Sequence, residues 1–564
     1  MNFRFNQTLR LLAIAGVVGS LAACGGGGGG SPVITPPASV ITAPYKYAFS
    51  FVNALDGKPI TDTLTIQFTG PAVDSDEVVD SNNNSVKGQT YTTSNGLFAA
   101  AANFNGSDDV FTVLAGNLTK GWNTSGTQIL RETSKTGEQL ITVKLNNSNN
   151  AAAIQADTTL GIGMKAGTAT AAAGGILPAI TLGTTDKTVT NSEGKAESVG
   201  TATITVPAGT KGTSTDGTAA SGALKLTVTK YSNSDVAALA AFPGGFTPNV
   251  TDSSGSQLPS GATSGSGNFV TGGFAQFNVT DSTGKAIKKF DKPLQLTIDL
   301  PKTSKNPKTG NAVKAGDSYP VWSFDEVTGK WVFETNGTVG EKTPVDANNF
   351  EVTFSATHLS YWNLDYFASE NCTGTINIAR NPTGDTRLLY IDIVGVEGTR
   401  FYKSSTGIPD STVTLPYSPN LKVNVIIKDG KDNVVGKSFD KNLCDGPITI
   451  GTDPLPPIIY ATLQTSVTES CPDGITGKRA VPTYVYFSSN NTFQGGYTST
   501  GTSIISTIES GTQGTLYAWN RLKSTYSIVA PDPLTVNAPT TTREINFPNL
   551  QCTTGGAVIT PLQQ

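Results

Sequence analysis

Residues 45–70 read YKYAFSFVNALDGKPITDTLTIQFTG, and this stretch decides the fold class. Apolar and polar residues alternate with a period of two, and the alternation breaks at Asp56-Gly57, a turn dipeptide. The pattern continues through GQTYTTSNGLFAAAANF (88–104), with Asn95-Gly96 as a second turn, and through VFTVLAGNLTKGW (110–122). Successive antiparallel strands are expected, and the same signature recurs to residue 530.

Composition agrees with an all-β chain. Charged residues make up 15% of the 564, against about 25% in an ordinary soluble domain. Gly reaches 61 and Pro 31, and much of the rest is Thr, Ser and Asn, which suit strands and turns better than helix interiors. The length predicts about three or four domains, at roughly 150 residues each. Thirty-nine Lys and Arg against 43 Asp and Glu leave a net charge of −4 without clusters. No nucleic-acid partner is expected, because phosphate neutralisation needs a concentrated basic face.

The first 24 residues address the chain. MNFRFNQTLR carries Arg4 and Arg10 without an acid, LLAIAGVV is apolar but too short to span a bilayer, and Leu21-Ala22-Ala23-Cys24 follows. This reads as an export signal over 1–23. LAAC resembles the lipobox of bacterial lipoproteins. The resemblance implies that the Cys24 thiol receives a diacylglycerol, that cleavage precedes it and that the new amino terminus is acylated. Gly25, in place of an aspartate, implies sorting to the outer membrane. Six glycines and SPVITPPASVITAP then form a tether over 24–44, flexible first and Pro-stiffened after.

Four further cysteines, Cys372, Cys444, Cys471 and Cys552, lie in the C-terminal third. In an exported chain they predict disulfides. Three pairings are open, and the context favours Cys372 with Cys444 and Cys471 with Cys552, each bracketing one run of short strands. No CxxC pair occurs, and with one histidine no zinc site or other cofactor is expected.

Over 45–146 the order strand, DGKPI, strand, TTSNGLF, strand, AGNLTKGW resembles the carboxypeptidase regulatory-like, transthyretin-type sandwich. That implies a non-catalytic spacer or binding unit. Asp74, Asp76, Glu77 and Asp80 in DSDEVVD suggest a calcium loop, but the glycine and terminal glutamate of an EF-hand are missing, and a solvated acidic turn is favoured. Residues 147–198 are poor in pattern, either a connector with one or two strands or a piece of the neighbouring sandwich.

The next unit spans 199–367, through GGFAQFNVTDSTGKAIKKFDKPLQLTIDLP, YPVWSFDEVTGKWVFE and FSATHLSYWNLDYF. It resembles the β-sandwich of cartilage intermediate layer protein and, more distantly, that of netrin receptors and ankyrins. In this broader group, and in the adhesion-receptor autoproteolysis domain, some members cut themselves within a His-Leu-Ser or similar sequence. The resemblance makes His358 the base, Leu359 the carrier of the scissile carbonyl and Ser360 the nucleophile of an acyl shift. Cleavage also requires a strained peptide and oxyanion donors, which three residues do not encode. Phe354, His358 and Trp362 have even spacing and would share one face of an unbroken strand. A structural role for His358, the only histidine, is therefore favoured.

Trp322, Trp331 and Trp362, with Tyr361, allow a second reading as a platform for sugar rings, and they equally suit a core. The DEVTGK between Trp322 and Trp331 has hairpin character and predicts a cross-strand pair. Two small sandwiches, immunoglobulin-like or transthyretin-like, are expected over 368–455 and 456–556, with a tail over 557–564. Trp519 is expected near the second disulfide. No HExxH, GxSxG or GxxxxGK[ST] motif occurs. The reading is tandem antiparallel β-sandwiches, anchored to the membrane through lipid on Cys24, with a structural, adhesive or ligand-binding role, an envelope protein or polysaccharide as partner and no conventional catalysis. The alternatives are a carbohydrate-binding accessory lipoprotein and a surface protein that cuts itself between Leu359 and Ser360.

Overall fold

The computed structural model describes residues 43–547, apart from 81–82, 95, 106–109, 131–136, 191–195, 240, 246–248, 253–264, 267, 308, 369–371, 386–388, 397–401, 409–411, 419, 430–432, 456, 458, 471–477, 481–482, 490–491, 521–524 and 529–533. The leader, Cys24, the tether to residue 42, Cys471, Cys552 and the tail lie outside the described residues. Strand accounts for 63% of the described residues and helix for 5%, so the fold is all-β, in tandem sandwiches.

In the first unit the alternation at 45–70 buries Tyr45, Tyr47, Phe49 and Phe51 on one face and Leu64, Ile66 and Phe68 on the other side of the same core. One sheet has the order Val78–Asp80, Leu97–Ala102, Tyr45–Asn53, Gly137–Leu145; the other has Thr90–Thr93, Leu64–Thr69, Val110–Asn117, Trp122–Leu130. Tyr45–Asn53 and Leu64–Thr69 therefore do not pair, contrary to the simple hairpin reading. The segment between them crosses from one sheet to the other, and packed sheets stand about 10 Å apart. Gly57 supplies the left-handed turn at φ 68° that starts the crossing. Gly96 closes the second turn so tightly that a Cβ there would meet the Phe51 and Ile60 carbonyl oxygens at 2.8 Å.

The middle unit is built on one long folded sheet, in which Lys330–Glu341 joins two sets of strands. Lys330–Glu341 pairs with Ser318–Asp325 along its first part and with Asn349–His358 over Thr338 to Glu341. On one side Asn349–His358 continues to Lys289–Pro301 and Ala202–Val206. On the other, Ser318–Asp325 continues to Tyr361–Ala368, Asn268–Thr280, Gly222–Tyr231 and Ile162–Ala171. Lys330–Glu341 is thus a corner strand of the kind that turns a sandwich edge through a bend or bulge. Leu226, Val228, Phe277, Leu296, Ile298, Val352 and Trp362 fill the space inside. A second core, with Phe269, Trp322, Trp331 and Phe367, covers the outer face, where the first unit contributes Ala54 and Leu114.

The segment 147–198 takes part in these sheets. Ile162–Ala171 pairs with Gly222–Tyr231 along its whole length, and Ile180–Gly183 pairs with Ala202–Val206. Its weak alternation has a physical source: in Ile162–Ala171 the buried residues cluster at the start, where Ile162 and Met164 join the second core, and the middle is exposed.

Beyond residue 371 two further sandwiches follow, with separate cores around Ile391, Val425 and Ile450 and around Leu463, Phe487 and Ile545. Each of these, like the first unit, pairs its first strand in parallel with its last: Tyr45–Asn53 with Gly137–Leu145, Cys372–Ala379 with Ile448–Gly451, and Tyr460–Ser470 with Thr540–Phe547. The first also touches the last, where the Ser50 and Tyr517 hydroxyls lie 3.3 Å apart. The backbone of Trp519 pairs with Tyr484 and Tyr526.

Cys372 is bonded to Cys444, closing a separation of 72 residues. By the loop-entropy relation such a bridge contributes about 4 kcal/mol. The Cys372→Ser/Cys444→Ser variant should lose hydrogen-exchange protection in Leu389–Gly395 and Lys422–Lys428 by about that free energy, while the first unit keeps its own. Unchanged protection in those strands would contradict this role for the bridge.

Candidate functional site

Asn349–His358 ends where the chain crosses between the sheets at Leu359 and Ser360, and Tyr361–Ala368 begins on the far side. The expected unbroken strand is absent. Phe354, His358 and Trp362 meet nevertheless, because both strands turn these residues toward one core: Trp362 lies 5.1 Å from Phe354 and 4.9 Å from His358, ring centre to ring centre. His358 Nε2 is 3.6 Å from Glu334 Oε1, outside hydrogen-bond reach. Glu334 is held by the Ser323 hydroxyl, which donates to Oε1 at 2.7 Å.

Ser360 is buried, and its hydroxyl donates to the Phe324 carbonyl. The Leu359 N–H donates to the Lys288 carbonyl at 3.0 Å, and the Ser360 carbonyl accepts from Phe277 N–H at 3.1 Å. The hydroxyl is thus committed to a backbone carbonyl, and among the described residues no hydrogen bond joins it to the imidazole. Neither Leu359 nor Ser360 has positive φ. The backbone here is anchored on both sides.

Trp322 and Trp331 are wholly buried, and Trp362 is 1% exposed. They offer no exposed stripe for sugar rings. Nor are Trp322 and Trp331 directly opposed. The turn at 326–329 sets Asp325 against Lys330, so Phe324 faces Trp331 and, in the same register, Trp322 faces Phe333. Each indole N–H finds an acceptor, Trp322 at the Asp365 carbonyl and Trp331 at the Pro243 carbonyl, both at 2.8 Å. In DSDEVVD the acids are dispersed: Asp76 accepts from the Ser85 hydroxyl at 2.6 Å, Asp80 from Asn84 N–H at 3.0 Å and Glu77 from Asn105 N–H at 3.4 Å, and Lys87 bonds the Asp74 carbonyl.

Several buried polar groups escaped the sequence reading. Glu334 looks like an exposed strand residue and gains its place only from the register shift between Val321 and Trp322. Asp365 is fully buried, and burial holds its carboxyl well above the carboxylate range despite Asn363, Thr271 and the Gly272 N–H around it. Burial likewise pushes the Lys230 ammonium down to about 8, although Asp299 favours its charge. Asp299 accepts from Lys342 Nζ at 2.6 Å and from Thr201 N–H at 2.7 Å.

Burial holds the His358 imidazole below its ordinary value, helped by Lys288 and opposed by Glu334, Asp325 and Glu326. The neutral ring is the form the fold prefers. Unfolded chain binds the proton first, near pH 6.5, so this contribution is complete above that pH and is lost as pH falls through the folded value. Because His358 is the only histidine, its titration by NMR is unambiguous. The midpoint is expected below 6.5 and lower still in Glu334→Gln, which removes the opposing carboxylate. A midpoint at or above that value, or a rise in the variant, would refute the assignment.

No family model matches this sequence, and no curated protein matches it. Among solved structures, the minor pilin GBS52 of Streptococcus agalactiae is similar at 10% identity over 31% of this chain and 94% of that one, with TM-score 0.18. The full-length RrgB pilus protein of Streptococcus pneumoniae is similar at 10% identity over 85% and 91%, with TM-score 0.15. BcpA, the major pilin subunit of Bacillus cereus, is similar at 10% identity over 89% and 98%, with TM-score 0.13. These scores are too low for the likeness to carry an argument.

Proposed function

We propose that this chain is a lipid-anchored protein of a bacterial outer membrane whose tandem β-sandwiches serve a structural, adhesive or ligand-binding role without conventional catalysis. The observation that carries the reading is LAAC at 21–24, behind a short basic and apolar leader and ahead of six glycines. Acylation of Cys24 with two or three chains anchors stably, where one chain binds only marginally. The tether over 24–44 then holds the folded part off the bilayer. The division is a carboxypeptidase regulatory-like unit over 45–146, the middle unit reached through 147–198 and ending at 367, and two small sandwiches over 368–455 and 456–556, the second stapled by Cys471 and Cys552.

A non-catalytic role is supported by what the chemistry-bearing groups already do. Ser360 is engaged by a backbone carbonyl, and the single imidazole sits against Glu334 and Trp362. An envelope protein or polysaccharide is the partner class that suits such a display.

The test is intact mass and membrane fractionation of the full chain expressed in a Gram-negative host, beside Cys24→Ser and Ser360→Ala. The wild type should sediment with outer membranes as one chain beginning at Cys24, with added acyl mass confined to its first peptide. Cys24→Ser should leave the membrane fraction, and Ser360→Ala should match the wild type. An unmodified first peptide would overturn the anchor, and two fragments meeting between Leu359 and Ser360 would overturn the uncut chain.

A further inference from the structure

Beyond the Thr338–Thr353 pair the ladder between Lys330–Glu341 and Asn349–His358 ends. A cavity of about 160 Å³ opens there, with Glu334 and Thr335 on one wall and Ser355, Thr357 and His358 on the other. Val321 pairs with Thr335 and Trp322 with Phe333, so Glu334 is the extra residue of a bulge. Bulges re-aim side chains and are over-represented next to active sites. This one sets a carboxylate beside the only imidazole of the chain.

His358 Nε2 stands 3.6 Å from Glu334 Oε1. That is too long for a hydrogen bond, yet it is the separation of two donors that share one cation. Bonds of about 2.1 Å from each, the length at which an imidazole nitrogen and a carboxylate oxygen bind Zn²⁺, meet at an angle of about 120°. Two further observations do not depend on this distance. The Ser323 hydroxyl donates to the same Oε1 at 2.7 Å, and hydrogen-bonded support of this kind accompanies ligating carboxylates. Three carboxylates, those of Glu334, Asp325 and Glu326, and one ammonium, that of Lys288, act on the imidazole. Lys288 is itself paired with Glu326 at 2.9 Å. The balance of charge around the ring therefore favours a cation.

The donor types narrow the choice. Ca²⁺ and Mg²⁺ take oxygen ligands, so an imidazole adds nothing for them. A mixed nitrogen and oxygen set suits Zn²⁺, Ni²⁺ and Cu²⁺. Among the described residues no group of three or more His, Cys, Asp or Glu forms a metal cluster, so water must fill the remaining positions. The cavity has space for it, since a water takes about 30 Å³ of liquid volume, and the Thr335, Ser355 and Thr357 hydroxyls line the same space.

We propose that Glu334 and His358 hold a divalent transition-metal cation, such as Zn²⁺ or Cu²⁺, whose other ligands are water, with Ser323 positioning the carboxylate. The site rests on neither the lipid anchor nor the partner class proposed above, and it was hidden from the sequence because the bulge makes the pair.

The full chain, prepared without a histidine tag, would be titrated with ZnCl₂ and followed through the His358 ring signals by NMR. These should shift in a saturable, one-site manner with half-saturation below about 1 mM. Bound Cu²⁺ should show coupling to one imidazole nitrogen in its electron paramagnetic resonance spectrum. MgCl₂ and CaCl₂ should act at least about tenfold more weakly. Glu334→Gln, and Ser323→Ala at a residue that does not touch the metal, should each weaken Zn²⁺ by about tenfold or more. The proposal is overturned if Zn²⁺ leaves the ring signals unmoved over that range, if Ca²⁺ or Mg²⁺ binds as well, or if Glu334→Gln binds as tightly as the wild type. An unchanged affinity in Ser323→Ala would overturn the positioning role.

Discussion

A β-strand has two edges, and the middle unit gives those of Lys330–Glu341 to the two halves of one folded sheet. Lys330 to Thr338 pair with Ser318–Asp325 on one edge, and Thr338 to Glu341 pair with Asn349–His358 on the other. The strand must therefore turn between them, and the bulge at Glu334 is where the ladder yields. Trp331 and Phe333 feed the outer core and Val339 the inner one. Both cores, and the cleft between the diverging strands, follow from this single bend.

The fold class was legible because alternation is a local signal. Tyr45 to Phe51 and Leu64 to Phe68 announce buried faces without knowledge of what covers them. Pairing was not legible. The same alternation suits a hairpin or a crossing to the opposite sheet, and the parallel partner of Tyr45–Asn53 lies at Gly137–Leu145, far beyond any local window. The turn between Trp322 and Trp331 was readable, but its length fixed a register that opposes each to a phenylalanine. At the candidate site, the grouping of Phe354, His358 and Trp362 was anticipated for a reason that fails, since the chain changes sheets between them. Glu334 left no mark because a bulge is a property of two strands, and one sequence window contains only one of them.

The sparse charge has a counterpart where the first and middle units meet. Asn146 Nδ2 donates to the Tyr231 hydroxyl at 2.9 Å and Gln276 Nε2 to the Thr124 carbonyl at 3.0 Å. Neutral amides and hydroxyls can be buried at such a seam once they are hydrogen-bonded, whereas isolated ions cannot. An abundance of Asn and Thr thus suits sandwiches that pack side by side as well as strands that face water.

Three of the sandwiches join their first strand to their last in parallel. Parallel neighbours run the same way, so the chain enters such a unit at one end and leaves at the other. Tension applied through the chain pulls these two strands past each other lengthwise. The ladder bonds between them are evenly spaced, so they carry the load together rather than opening one after another. In the third unit the Cys372–Cys444 bridge ties the start of the first strand to the turn before the last one and shortens the length of chain that tension can draw out. The arrangement suits a protein held at one end and pulled at the other.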